Sequence, residues 1–271
     1  MASSVLTDAV ERRLTTRLTV AQTRSVEGGP LRRVWKRLLY LRFLLLQRHR
    51  YGRLALEWVD QRPFLVLPEV FNPGLFASGR LLARAVEQRD DLLAPGARVL
   101  DLGTGSGIGA VAAARKARSV LATDINPRAV RCARINALLN QVEERIEARQ
   151  GDLFEPLAPD EHFEVVLFNP PYYRGRPRDA LDQAWRSPDV IERFAAGLPN
   201  VLAPGGHALV VLSSDGERDA FLDAFRAHGL SVDVAAGQTL LNETLTVYRV
   251  QSDQQSAVGT PRAPGQLMAD S

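Results

Sequence analysis

Apolar positions along this chain follow two periods, and the alternation between them predicts its architecture. Arg98–Leu102, Ser119–Thr123, Arg145–Gln150, Phe163–Phe168 and His207–Ser213 are short runs rich in Val, Leu, Ile and Phe, which predicts buried strands. Between them Ile108–Arg118, Pro127–Leu139, Pro188–Leu202 and Glu217–His228 read as helices. Asn126 is a natural cap for the helix that opens on Pro127. Strands alternating with helices predict an α/β fold, a mostly parallel sheet covered by helices on both faces. The last two strands, Ser231–Ala235 and Thr244–Val250, are separated by a loop too short for a crossover helix and should pair antiparallel. Upstream, Ala77–Asp90 reads as a helix capped by Ser78, with Leu81, Leu82, Ala85 and Val86 facing inward.

This pattern delimits a domain over 63–250. Residues 1–30 are rich in Thr, Ser and Arg, end on Gly28-Gly29-Pro30 and read as a flexible segment. Leu31, Val34, Trp35, Leu38, Leu39, Leu41 and Leu45 alternate with arginines, which predicts a basic amphipathic helical extension over 31–62. Residues 251–271 are polar and aperiodic, as in a disordered tail. The net charge of +3 hides an asymmetry. Residues 1–62 hold thirteen Arg and Lys against five Asp and Glu, while the rest holds 21 against 26. A basic segment of this kind suits docking on the domain, or contact with nucleic acid or a membrane surface. The longest apolar stretch, Leu38–Leu46, is broken by Arg42 and falls far short of the ~20 residues of a membrane span. No leader pattern is visible, so a cytoplasmic protein is expected. Cys132 is the single cysteine and reads as a packed apolar residue. His49, His162, His207 and His228 are scattered, and no metal site is expected.

Candidate chemistry clusters at strand ends. Asp101-Leu102-Gly103-Thr104-Gly105-Ser106-Gly107 follows the first strand of the alternation and opens a helix, as a ligand-cradling glycine loop does. Asp101, just before the glycines, would repel a pyrophosphate but suits a cationic sulfonium ligand bearing an amino group. Asp124 ends the next strand, where an acid can accept from both hydroxyls of a ribose. Asp152 follows the third strand and could accept from an adenine amino group, with Ile125 and Leu153 on either side of the ring. Together these point to S-adenosylmethionine, held by Asp101, Gly103, Thr104, Gly105, Gly107, Asp124, Ile125, Asp152, Leu153 and Asn169. Asn169-Pro170-Pro171-Tyr172 ends the fourth strand. Prolines are rigid and carry no N–H, so the Pro170 carbonyl and the Asn169 side-chain carbonyl could each accept one hydrogen of a planar nitrogen, with Tyr172 stacking on its plane.

These motifs resemble those of N-methyltransferases carrying an Asn/Asp-Pro-Pro-Tyr sequence, and within them the HemK and HemK2 type that methylates glutamine in release factors. The resemblance runs over residues 65–250 and takes in Thr123–Ala129, Gly151–Phe154, Asp182-Gln183-Ala184-Trp185, Leu202–Gly206 and Val70-Phe71-Asn72-Pro73. It implies a class I Rossmann-like methyltransferase sheet with a C-terminal antiparallel hairpin. It also implies S-adenosylmethionine as cofactor, catalysis at Asn169, Pro170, Pro171 and Tyr172, and a release-factor-like protein as partner. A nucleic-acid base offers the same planar amine, at adenine N6, guanine N2 or cytosine N4, and Tyr173-Arg174-Gly175-Arg176 beside the motif would suit it. A small-molecule amine is a third acceptor class.

Overall fold

The computed structural model describes residues 53–178, 182–240 and 243–252. The flexible segment expected over 1–30, most of the helical extension and nearly all of the tail lie outside them. The extension is corrected where it can be seen. It does not stay helical to residue 62: β1 (Ala55–Val59) and β2 (Arg62–Val66) form an antiparallel hairpin. The period changes to two here, with Leu54, Leu56 and Trp58 exposed while Val59, Phe64 and Val66 are buried. Asp60 and Gln61, both at positive φ, make the two-residue turn, the geometry that matches strand twist.

The domain core is a seven-stranded sheet. Its strands are β3 (Arg98–Leu102), β4 (Ser119–Asp124), β5 (Ile146–Gln150), β6 (Phe163–Phe168), β9 (Leu202–Ser213), β10 (Leu230–Thr239) and β11 (Thr244–Ser252). Their spatial order is β10-β11-β9-β6-β3-β4-β5. The central pairs are parallel, as expected, and β10 and β11 pair antiparallel. The last strand also slips between β10 and β9, antiparallel to both. The helices are α1 (Ala77–Gln88), α2 (Ile108–Ala114), α3 (Pro127–Leu139), α4 (Val190–Val201) and α5 (Arg218–Ala227).

Central strands are buried on both faces, which is why they read as continuous apolar runs. Val99, Val165, Leu167, Leu209 and Val211 point into one layer with α1 and α2. Leu100, Leu102, Val166, Phe168 and Val210 point into the other, against Ile191, Phe194 and Leu198 of α4 and Phe221 and Phe225 of α5. The hairpin is tied on by polar bonds. Asn136, fully buried on α3, accepts from Leu65 N at 2.7 Å and donates to Leu65 O and Ser106 O at 2.8 Å. Cys132, one turn earlier, is buried as expected, its thiol pushed up to about 11 by burial. Among the described residues no helix is long and apolar enough to cross a membrane.

Candidate active site

The glycine loop, Asp101, Asp124, Asp152 and Asn169-Pro170-Pro171-Tyr172 meet at the carboxyl ends of β3, β4, β5 and β6, around one cavity of about 420 Å³, whereas Leu202–Gly206 lies at the amino end of β6 beside Phe163. That edge is where open α/β sheets bind ligands. One wall is the glycine loop between β3 and α2. Gly103, Gly105 and Gly107 have positive φ, and a Cβ on Gly107 would come within 2.9 Å of Ala133 Cα. Glycine is required there both by conformation and by space.

Asp101 is 5% exposed. Its Oδ2 accepts from Thr104 Oγ1 at 2.5 Å and from the Ala110 amide at 2.8 Å. Burial outweighs both bonds and raises the carboxyl to about 6, with the Asp124 charge adding to the rise. Its Oδ1 sits where a Cβ on Gly109 would be, 2.5 Å away, so Gly109 is what lets α2 start against this acid. Asp101 thus joins β3 to α2 while keeping its charge on the cavity wall. Asp124 joins the loop to α3 in the same manner. Its Oδ2 accepts from the Gly105 amide and its Oδ1 from the Asn126 amide, both at 2.9 Å. Burial raises its pKa as well. Each oxygen keeps a lone pair for a ligand. Asn126 caps α3 as expected, accepting from Arg128 N at 2.9 Å.

Asp152 lies farther out and is not isolated. Arg193 on α4 donates to its Oδ2 at 2.7 Å, with both side chains about one-third exposed. Leu153 adopts φ +48, and Ile125 is 40% exposed across the cavity. Both therefore border the space beside Asp152.

The acceptor end is built from side chains. Pro170 is buried, and Tyr172 is fixed through its carbonyl, which accepts the Glu217 amide at 3.0 Å. Its phenol turns back and donates to Asn169 Oδ1 at 2.9 Å. Burial raises the phenol above its ordinary pKa. Ser78 does not cap α1. Phe76 takes the cap position, and Ser78 is buried in the first turn near the phenol. Phe71 and Trp185 line the cavity with ring centroids 5.2 Å apart, and Phe76 stacks on Phe71 at 4.6 Å and meets Trp185 edge-on at 4.6 Å. Two short strands, β7 (Tyr173–Arg174) and β8 (Arg186–Ser187), pair parallel beside Trp185. The arginines here are mostly committed. Arg174 pairs with Glu192 and Glu217, and Arg186 with Asp182 while lying 5.6 Å from the Tyr173 ring. Arg176 is exposed and makes no ion pair among the described residues.

Sequence reasoning missed Arg193 and the aromatic cluster as a unit. Arg193 follows Asp189 by four residues on a helix face, a cue for a solvated pair rather than for a contact with Asp152. Phe71 and Trp185 stood in quoted motifs, but nothing in their spacing of more than a hundred residues joins them.

Known proteins resemble this chain in sequence and in fold. Residues 62–238 match the methyltransferase small domain family. A Methanocaldococcus jannaschii protein assigned as a protein N5-glutamine methyltransferase is 33% identical over 190 residues, 66% of this chain and 90% of that protein. The release factor glutamine methyltransferase of Aliivibrio fischeri is 36% identical over 134 residues, 48% of this chain and 47% of its own, so the chain spans about half the length of that relative. In fold, it superposes on the T. thermophilus 16S rRNA N2 G1207 methyltransferase, solved with AdoMet and guanosine, with a TM-score of 0.53 at 21% identity, over 74% of this chain and 50% of the other.

Proposed function

This chain belongs to the methyltransferase small domain family and is an S-adenosylmethionine-dependent methyltransferase, and from that premise we propose that it methylates the side-chain amide nitrogen of a glutamine in a release-factor-like protein. The observation that carries the reading is the Asn169 carbonyl, oriented by Tyr172 beside the Pro170 backbone at the cavity end of β6. A primary amide carries two N–H bonds in one plane. Asn169 Oδ1 accepts one and the Pro170 carbonyl accepts the other. Holding both hydrogens fixes the amide plane so that one face of the nitrogen, where the lone pair emerges as the group pyramidalises, points into the cavity.

The cavity wall fits the cofactor. Its buried acids keep unused acceptor sites, and Ile125 and Leu153 leave an apolar slot beside Asp152. When bound, S-adenosylmethionine supplies an electrophilic methyl group on a sulfonium. Asp101 complements the positive charge, and Asp124 accepts from ribose hydroxyls through its spare lone pairs. Gly103, Thr104, Gly105 and Gly107 let the backbone approach. Asp152, steadied by Arg193, accepts from the adenine amine. No side chain of the motif is a base at neutral pH, since the Tyr172 phenol is pushed up by burial. The amide proton therefore passes to water once the nitrogen carries the new methyl and becomes strongly acidic.

Glutamine is favoured over a nucleobase because Arg174 and Arg186 at the mouth are held by Glu192, Glu217 and Asp182, which leaves Arg176 of that segment without an ion pair among the described residues. The test is direct. Full-length protein is incubated with labelled S-adenosylmethionine and, separately, with release factors, total RNA, DNA and a metabolite extract. Label at a glutamine of a release factor is expected; label in RNA alone would overturn the reading.

A further inference from the structure

The Asn169 amide has a symmetry problem that the fold must solve. Its oxygen and its NH₂ group are nearly equal in shape. With the oxygen toward the substrate it accepts an N–H. Flipped, it presents donors to a group that also presents donors. Among the described residues the one hydrogen bond that distinguishes the two orientations comes from Tyr172, whose hydroxyl donates to Oδ1 at 2.9 Å. We propose that Tyr172 acts chiefly through this hydroxyl, as a positioning residue that keeps the Asn169 carbonyl facing the substrate nitrogen, rather than through its ring as a stacking platform.

Three further features suit that role. Tyr172 is fixed along its own backbone: Glu217 N binds its carbonyl at 3.0 Å, and a Cβ on Gly216 would lie 2.8 Å from that oxygen. The phenol stays protonated, and so a donor, because burial raises its pKa. The Ser78 hydroxyl, 3% exposed, lies within reach of the phenol and accepts or donates no other hydrogen bond among the described residues. It is therefore available to donate to the phenol oxygen, which leaves the phenol hydrogen for Asn169. A carbonyl oxygen has two lone pairs. Tyr172 uses one, and the other remains for a substrate N–H.

The inference rests on an acceptor with a planar NH₂ group, as the proposed function requires, but not on that group being glutamine. The experiment is a double-mutant cycle in the full chain with Tyr172→Phe, Asn169→Asp and both together. A carboxylate accepts at either oxygen, so it needs no partner to choose an orientation. Calorimetric S-adenosylmethionine binding first verifies that each variant is folded. With a release factor and labelled S-adenosylmethionine, Tyr172→Phe should lower kcat about 10- to 100-fold with KM changed less than about two-fold. In the Asn169→Asp background the same change should cost less than about three-fold. A wild-type kcat in Tyr172→Phe, a loss confined to KM, or an equal loss in both backgrounds would overturn the role. If wild-type protein leaves every release factor unlabelled, the glutamine reading fails, and the positioning claim is decided without an acceptor. Selective ¹⁵N labelling of asparagine then follows the Asn169 side-chain amide, sharp in wild type and broadened or doubled by flipping in Tyr172→Phe. An unchanged Asn169 amide signal refutes it.

Discussion

The two ends of the cavity are built on different principles. At the cofactor end, acids at strand termini are bound by backbone amides two to nineteen residues away: Asp101 by Ala110, Asp124 by Gly105 and Asn126. Glycines permit those approaches, and the central strands beneath are buried on both faces. At the acceptor end, one phenol donates to Asn169, and three aromatic rings from two distant segments pack together. Two-residue strands frame it. The cofactor end is part of the folding core. The acceptor end is a set of side-chain contacts laid over that core, so it can vary without unfolding the domain, and substrate choice belongs there.

That contrast can be broken by variants that separate chemistry from folding. The largest effect is expected from Asn169→Ala, which on the proposed function removes an acceptor for the reacting nitrogen. Transfer should fall by about 10³-fold or more, with S-adenosylmethionine affinity within about two-fold in calorimetry. Parallel loss of cofactor affinity would show that the two ends are one unit.

Gly107→Ala attacks the other end. It places a Cβ at φ +82 and 2.9 Å from Ala133 Cα. A stability loss of about 1–3 kcal/mol by chemical denaturation is expected, with weaker cofactor binding. Unchanged stability would mean the loop is not part of the core.

Asp101 should impose a pH dependence on the cofactor end alone. Its folded pKa, about 6, lies above the ordinary 3.8, because burial disfavours the ionised form. The folded state therefore binds the proton more tightly than the unfolded chain. This group's contribution to stability is greatest below pH 3.8 and falls as pH rises to 6, by roughly 3 kcal/mol in all, and is then flat. Affinity for a cationic cofactor should move the opposite way, rising about ten-fold from pH 5 to 8 as Asp101 ionises. Asp101→Asn keeps an oxygen that can accept from Thr104 and Ala110. It should remove the share of both profiles that Asp101 supplies, leaving the part from Asp124, whose pKa burial also raises. A binding profile unchanged from wild type would remove Asp101 from the cofactor's charge recognition.

The smallest change is expected at Arg193. Its pair with Asp152 is about one-third exposed, so Arg193→Ala should cost less than about 1 kcal/mol of stability. Cofactor affinity should drop only a few-fold as Asp152 loses its fixed direction. A large loss of stability would place this pair in the core after all.

The glycine loop, the three acids and the Asn-Pro-Pro-Tyr motif were legible in the sequence because each depends on neighbours in the chain. A strand end, a positive φ, a missing N–H and a capping Asn126 are local conditions, and residue type records them. The alternation of strands and helices was legible for the same reason. Other features depend on packing between segments far apart. Leu54, Leu56 and Trp58 face solvent while Val59, Phe64 and Val66 are buried because β1 and β2 pair as a hairpin, so the helical period upstream was carried too far. The insertion of β11 between β9 and β10 follows from which edges were free to pair, and the short loop after β10 does not encode it. Arg193 reaches Asp152 across 41 residues, and Trp185 reaches Phe71 across more than a hundred. By itself the sequence determined the architecture, the cofactor and the placing of the acids, the glycines and the Asn-Pro-Pro-Tyr motif at strand ends. Tertiary structure decided how Asn169 is turned, which rings pack at the cavity and which arginines are occupied, because those contacts exist only once separate elements are packed together.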